Sequence, residues 1–251
     1  MVMPNSGPAD LTDQIALVTG ATGDIGQATS RALVACGATV IGTDIHETSD
    51  VFAADEKIHY RRQDVTSKPE TDALVADVVA EHGRLDVAVL GAGIATTSRI
   101  DDVTDEEWAR VMDVNVYGVM NVARAVVPVM RERGHGKIVA LGSVAGRLGG
   151  LASGAAYAAS KGAVHAMIKH IARSCATQGV YANAIAPGPI AGTMWGEVIH
   201  HGSPPDPATL IPMGRFGTPS DIAQAIVFLS SPQSNWITGK VLDVNGGMLM
   251  V

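Results

Sequence analysis

The chain has 251 residues, 47% hydrophobic and 17% charged, with a formal net charge of −7. That length suits one large domain or two small ones, and the composition excludes an intrinsically disordered chain. The acidic balance leaves no basic footprint for nucleic acid, and Cys36 and Cys175 stand in helix-like contexts without metal-ligand spacing, so no metal site is expected.

The opening stretch "MVMPNSGPADLTDQ" has no basic segment followed by an apolar one, and no apolar run is long enough to span a membrane. The expected setting is the cytoplasm, with neither membrane nor nucleic acid as a partner. Short runs rich in Val, Ile and Leu then recur along the chain at 15–19, 38–43, 57–63, 85–90, 136–143, 180–187 and 240–244. Helical spacing fills 24–36, 67–82, 105–132, 156–178 and 219–230. Strands alternating with helices predict an α/β fold, a single doubly wound, Rossmann-type domain over 1–251 with a seven-stranded parallel sheet. In such a sheet ligands bind beyond the C-terminal strand ends, so the residues after each strand carry the functional information.

The first strand runs into "GATGDIG", with glycines at Gly20, Gly23 and Gly26. Gly20 suits a tight turn, and amides near Ile25 and Gly26 at the start of the next helix suit a pyrophosphate. Asp24 lies in this loop; it is expected to turn away from phosphate and sit in the first helical turn. The second strand leads to Asp44, 24 residues after Gly20, where a dinucleotide fold places the acid that binds the adenosine ribose. A carboxylate about 4 Å from a 2′-phosphate costs about 4 kcal/mol per unit charge at an effective dielectric near 20. No Arg or Lys flanks Asp44 in sequence, so NAD is expected rather than NADP. Asp64, after the third strand, suits either the adenine amino group or a helix cap.

The strand at 136–143 ends at Ser143, and "YAASK" follows at 157–161 in an Ala-rich, helix-favouring segment. Tyr157 and Lys161 then share one helix face, a turn apart. A phenol is a poor base at neutral pH, and a neighbouring ammonium favours the phenolate. Ser143 is expected to hold a carbonyl or alcohol oxygen while Tyr157 exchanges its proton, with hydride transfer completing the reaction.

These pieces form an ordered set: "TGATGDIG", "DV" at 64–65, "LGAGI" at 90–94, "VMDVNVYGV" at 111–119, "GS" at 142–143, "YAASK", "NAIAPGPI" at 183–190 and "ITGKVLDVNGG" at 237–247. The set resembles the short-chain dehydrogenase/reductase family over nearly the whole chain. The resemblance implies a catalytic tetrad of Asn115, Ser143, Tyr157 and Lys161, with Asn115 at a helix break holding a proton-relay water and Lys161 also binding the nicotinamide ribose. On sequence alone Asn115 is equally a satisfied polar residue within a helix. The resemblance also implies cofactor contacts at Val65, Ala92, Gly93, Pro187, Gly188 and Ile190, with Thr193 one position later than usual. Leu90 and Gly91 replace two asparagines that tie neighbouring strands together in the family, which puts local sheet contacts in question. The glycine spacing Thr-Gly-x-x-Gly-x-x-Gly resembles the family's extended branch, but 251 residues leave no room for that branch's larger substrate domain.

Residues 188–215 form the expected substrate lid, with Met194 and Trp195 as an apolar cover. Ile94 and Arg147 are expected on the other walls, and the adjacent His200 and His201 lack a metal-binding pattern. The reading is an NAD-dependent interconversion of a small-molecule secondary alcohol and a ketone. A 3-oxoacyl reductase, which "MGRFGTPSDIAQAIVFLSS" at 213–231 also resembles, is one alternative. Asp44 argues against it, because biosynthetic reduction normally draws on the phosphorylated cofactor. A non-catalytic nucleotide-sensing module is the other alternative. The apolar C-terminus "GGMLMV" suggests burial against another subunit, and the resemblance implies a homotetramer.

Overall fold

The computed structural model describes residues 9–47, 50–150, 153–192 and 207–251. Seven parallel strands are β1 (Ile15–Thr19), β2 (Thr39–Asp44), β3 (Ile58–Arg62), β4 (Val87–Leu90), β5 (Gly136–Leu141), β6 (Val180–Pro187) and β7 (Val241–Val244). They lie in the order β3-β2-β1-β4-β5-β6-β7. The direction of winding reverses between β1 and β4, which opens a crevice at their C-terminal ends.

Continuous burial along β1 and β4 reflects helices on both faces of the sheet. On one face α1 (Asp24–Ala35) and α8 (Pro219–Ser230) contribute Leu33, Ile222 and Ile226 to the core. On the other, α2 (Lys68–His82), α4 (Gly118–Arg133) and α6 (Ala155–Cys175) contribute Val78, Val126 and Ile168. Local chemistry sets the helix ends. Ser67 caps α2 by accepting from the Glu70 amide, and Gly83 ends it in the left-handed region.

The helical segment predicted at 105–132 is interrupted. It consists of α3 (Asp105–Met112), a π-helical turn (Asp113–Tyr117) and α4. Asn121 fixes α4 by donating to the Val65 and Thr66 carbonyls at 3.0 and 3.2 Å, and a Cβ on Gly118 would lie 2.6 Å from Val65 Cγ2. The wider π turn changes the rotation between α3 and α4 and carries Asn115 toward the strand-end loop. Periodicity alone cannot show such a turn, because the apolar spacing continues through it. The break falls where the family resemblance implies one, at Asn115; a short, unanticipated α5 (Ala145–Leu148) follows β5, and α7 (Pro207–Leu210) precedes α8.

The strand ties that Leu90 and Gly91 put in question are supplied by Thr19. Its buried hydroxyl accepts from the Gly91 and Ala92 amides at 3.1 and 3.3 Å, and Leu90 is core. A Cβ on Gly91 would lie 2.7 Å from the Thr19 carbonyl oxygen, so the close approach requires glycine there. Thr19→Val keeps the shape but leaves both amides without this acceptor. Urea unfolding is expected to show a loss of about 1–3 kcal/mol; an unchanged midpoint would place the strand tie elsewhere.

Candidate active site

The crevice is a cavity of about 1140 Å³ that runs from the glycine loop to the start of α6. Gly20 takes φ +70°, and a Cβ there would stand 2.8 Å from the Ala92 backbone. A Cβ on Gly26 would stand 2.1 Å from the Gly20 carbonyl oxygen, so the loop folds tightly onto the first turn of α1. Gly23 is the N-cap, and the first residues of α1, whose amides a helix leaves without intrahelical acceptors, line the cavity at Asp24, Ile25 and Gly26. Asp24 is the first residue of α1, exposed and on the cavity wall near Gly192. These features fit a dinucleotide, with the anionic pyrophosphate at the positive end of α1.

Asp44, the last residue of β2, is tied to the glycine loop. Its Oδ2 accepts from the Thr22 amide at 3.1 Å and the Thr22 hydroxyl at 2.6 Å, while Oδ1 accepts from the Ile45 amide at 2.8 Å. A carboxylate offers about four acceptor sites, so roughly one remains for a hydroxyl in the cavity. Parallel register sets Arg62 opposite Asp44, a proximity hidden from the linear sequence. The guanidinium is occupied elsewhere, 2.8 Å from Glu70 and 3.3 Å from Glu47. Asp64 accepts from the Thr66 amide and hydroxyl at 2.9 and 2.7 Å. It lines the cavity with Val65, and the helix cap is Ser67 instead.

At the other end, Ser143 lies just beyond β5, where the chain turns into α5. Its hydroxyl accepts from the Ala145 amide at 3.1 Å. Tyr157 and Lys161 share a face of α6, and all three residues line the cavity. Lys161 is buried; its Nζ donates to the Leu141 carbonyl at 2.8 Å and lies 5.6 Å from the Tyr157 ring centroid. Burial pulls the ammonium down to about 8. The phenol of Tyr157 moves the other way. Burial raises it, and a hydrogen bond with Ser143 opposes the rise. The ammonium of Lys161 is aimed at Leu141 and the ring face, so burial outweighs the depression expected from it.

Asn115, fully buried in the π turn, reads both backbone groups of Ile94. It accepts from the Ile94 amide at 2.8 Å and donates to the Ile94 carbonyl at 2.9 Å and to Ser160 Oγ at 3.0 Å. Gly93 packs between Asn115 and Lys161; a Cβ there would lie 3.1 Å from Asn115 Oδ1 and 3.5 Å from Lys161 Nζ. Ala92, Gly93, Ile94, Pro187, Gly188 and Ile190 all line the cavity. Gly188 is fixed by its amide to the Val244 carbonyl at 3.1 Å, and Ile190 bridges to Gly217.

Arg147 is a correction. It stands on α5 but turns away from the cavity, donating to the Val241 carbonyl at 2.8 Å and pairing with Asp243 at 3.4 Å. The unanticipated α5 causes this, because its turn rotates Arg147 toward β7 while Leu148 stays on the cavity wall. Met248 also lines the cavity and carried no sequence signal. His165 carried no sequence signal either; it lies behind the cavity wall, and its ring accepts from the Ser143 amide. Thr193, Met194, Trp195, His200 and His201 lie outside the described residues. Among the described residues, no group of three or more His, Cys, Asp or Glu is placed to hold a metal, and no helix is long and apolar enough to cross a membrane.

A doubly wound sheet, a glycine loop opening α1 and a Ser-Tyr-Lys cluster at the opposite end of one crevice define a dehydrogenase or reductase site. A family model described as "Enoyl-(Acyl carrier protein) reductase" matches residues 20–249, and the chain belongs to the short-chain dehydrogenase/reductase family, whose oxidoreductases use a nicotinamide cofactor. It is 35% identical over 245 residues to a 3-oxoacyl-[acyl-carrier-protein] reductase, FabG, of Vibrio cholerae, covering 96% of this chain and 100% of the relative. The FabG of Thermotoga maritima is 36% identical over 246 residues, covering 96% and 99%. The short-chain reductase protein NovJ of Streptomyces niveus is 38% identical over 261 residues, with the same coverages. The solved structure titled "Crystal structure of gox2181" superposes with a TM-score of 0.89 at 32% identity, covering 95% of this chain and 96% of that one.

Because Arg147 ties α5 to β7, Arg147→Ala is expected to cost about 1–2 kcal/mol in urea unfolding. The substrate KM should stay within about twofold. A large rise in KM at unchanged stability would return Arg147 to the substrate wall.

Proposed function

We propose that this protein interconverts a 3-oxoacyl thioester and the corresponding 3-hydroxyacyl thioester with NAD(H). The observation that carries the reaction is the meeting of Ser143, Tyr157 and Lys161 on one cavity whose far end is closed by the glycine loop and Asp44. The substrate class is supported by relatives named as 3-oxoacyl-[acyl-carrier-protein] reductases, and by the apolar walls at Ile94, Leu148 and Met248. Interconversion of a free secondary alcohol and a ketone by the same residues is the second reading. Asp44 favours it, because NAD is the usual acceptor in alcohol oxidation.

A nicotinamide held in this crevice would supply or take up the hydride. Ser143 donates its hydroxyl hydrogen to the substrate oxygen and holds it beside Tyr157. The Tyr157 hydroxyl gives its proton to that oxygen in reduction and receives it in oxidation. Lys161 holds the positive charge that steadies the phenolate once the proton has left, and it binds the nicotinamide ribose. Asn115 fixes the Ile94 backbone and serves the proton relay through the opened π turn. Asp44 selects NAD by repelling a 2′-phosphate, since Arg62 is neutralised by Glu47 and Glu70. The exposed Tyr117, Met250 and Val251 support assembly of further copies into a homotetramer.

Initial rates with NAD(H) and NADP(H), on a four-carbon 3-oxoacyl thioester and a panel of free ketones and alcohols, test this directly. Turnover is expected with the thioester and with NAD(H) preferred; faster turnover with NADP(H) would overturn the role of Asp44. Tyr157→Phe should lower kcat at least about 100-fold while nucleotide binding stays within about threefold. Nucleotide binding with no turnover on any compound would mark a sensing module instead. In size-exclusion chromatography, elution as a monomer at micromolar concentration would remove the tetramer.

A further inference from the structure

One buried titratable group in the site has no part in that chemistry. His165 follows Tyr157 and Lys161 at successive four-residue steps of α6, so the three lie on one face. The ring is 6% exposed, and its Nε2 is 3.4 Å from the Ser143 backbone nitrogen. The chain on either side of Ser143 is pressed against it. A Cβ on Gly142 would stand 2.2 Å from His165 Nε2, and one on Gly146 would stand 2.9 Å from His165 Cε1. The imidazole thus occupies space that exists only because both positions are glycine.

We propose that His165 is a positioning residue for Ser143: its imidazole, wedged between Gly142 and Gly146, accepts the Ser143 amide and sets where the Ser143 hydroxyl points. A backbone amide can only donate, so Nε2 must be the accepting nitrogen and the ring proton must sit on Nδ1. The charges that act on the ring are all cationic: Arg147 from α5, and Lys161 and Lys169 from α6 itself. Burial, first, and these cations push the imidazole down to about 4, which keeps it neutral and accepting through the working pH range. The hydroxyl of Ser143 is fixed from the other side by the Ala145 amide. Backbone and side chain of one residue are thereby held by two independent contacts, one of them reaching back to the helix that carries Tyr157.

The catalytic part of this assignment rests on the reaction proposed above; the contact itself does not. Two variants separate acceptance from space filling. His165→Leu fills similar volume without an acceptor, whereas the amide oxygen of His165→Gln can reach the position of Nε2. His165→Leu is expected to lower kcat at least about tenfold with the nucleotide KM within about twofold, and His165→Gln to recover to within about threefold of wild type. Equal losses in both variants, or none in either, would overturn the assignment. Imidazole ¹⁵N NMR of the wild-type protein, assigned by the resonance missing from the Gln variant, reads the contact without any substrate. A neutral Nδ1–H ring that persists below about pH 5 is expected. An Nε2–H tautomer, or an imidazolium at about pH 6, would overturn it even if turnover is found. Absence of turnover in the wild type would instead overturn the reaction, and with it the catalytic part, while the tautomer still decides the contact.

Discussion

The constraint on which the site depends is the burial of a polar face of α6. Lys161 and His165 are presented by one helix into buried surroundings, with the half-buried Tyr157 beside them on the cavity wall, and the two buried groups find their partners in the adjoining strand-end loops. Lys161 uses the carbonyl of Leu141, the last residue of β5, and His165 uses the amide of Ser143 just beyond it. Ser160, on the same helix, reaches Asn115, which in turn holds both backbone groups of Ile94 after β4. A buried polar group that loses its partner costs far more than the bond contributes when made. These contacts therefore fix two strand-end loops to one helix, and the fixed loops are the walls of the reacting end.

The opposite end of the crevice is organised by charge. Asp44 is held by Thr22 and Ile45, so its carboxylate is pinned to the glycine loop rather than free in a turn. Arg62 stands opposite it in register, yet Glu47 and Glu70 take up its guanidinium. Asp24 stands apart from Asp44, on the cavity wall near Gly192. The local balance around the ribose end is thus acidic, while the start of α1 offers amides to a pyrophosphate. A Ser-Tyr-Lys cluster at one end and an acid-lined nucleotide end at the other make a consistent crevice for a hydride-transfer enzyme.

Much of this was legible in the residues. Alternating apolar runs located each strand to within a few positions, strand-end logic picked out Gly20, Asp44 and Ser143, and helical spacing picked out the Tyr157–Lys161 pair, all of which line the cavity. The losses have physical causes. The π turn at Asp113–Tyr117 preserves apolar spacing, so periodicity passes over it, and only the family resemblance implied a break at Asn115. Arg147 read as a cavity residue because it follows Ser143 closely, but on α5 the adjacent side chains of Arg147 and Leu148 point in different directions and only Leu148 lines the cavity. Arg62 and His165 act through register and through close packing against glycine, and neither leaves a linear signature. The direction of the Tyr157 shift was also hidden, since it depends on where the Lys161 ammonium points rather than on its spacing.

The central claim is that burial of this face sets the protonation of the resting site, leaving Tyr157 a neutral phenol ready to give up a proton. Tyrosine ¹³C NMR across pH, with the Tyr157 signal assigned from Tyr157→Phe, tests it most directly in the protein without nucleotide. The phenol is expected to titrate above the ordinary value near 10, because desolvation outweighs its hydrogen bond with Ser143. Titration below that value would show that Lys161 dominates the phenol in the resting protein, and would contradict this account.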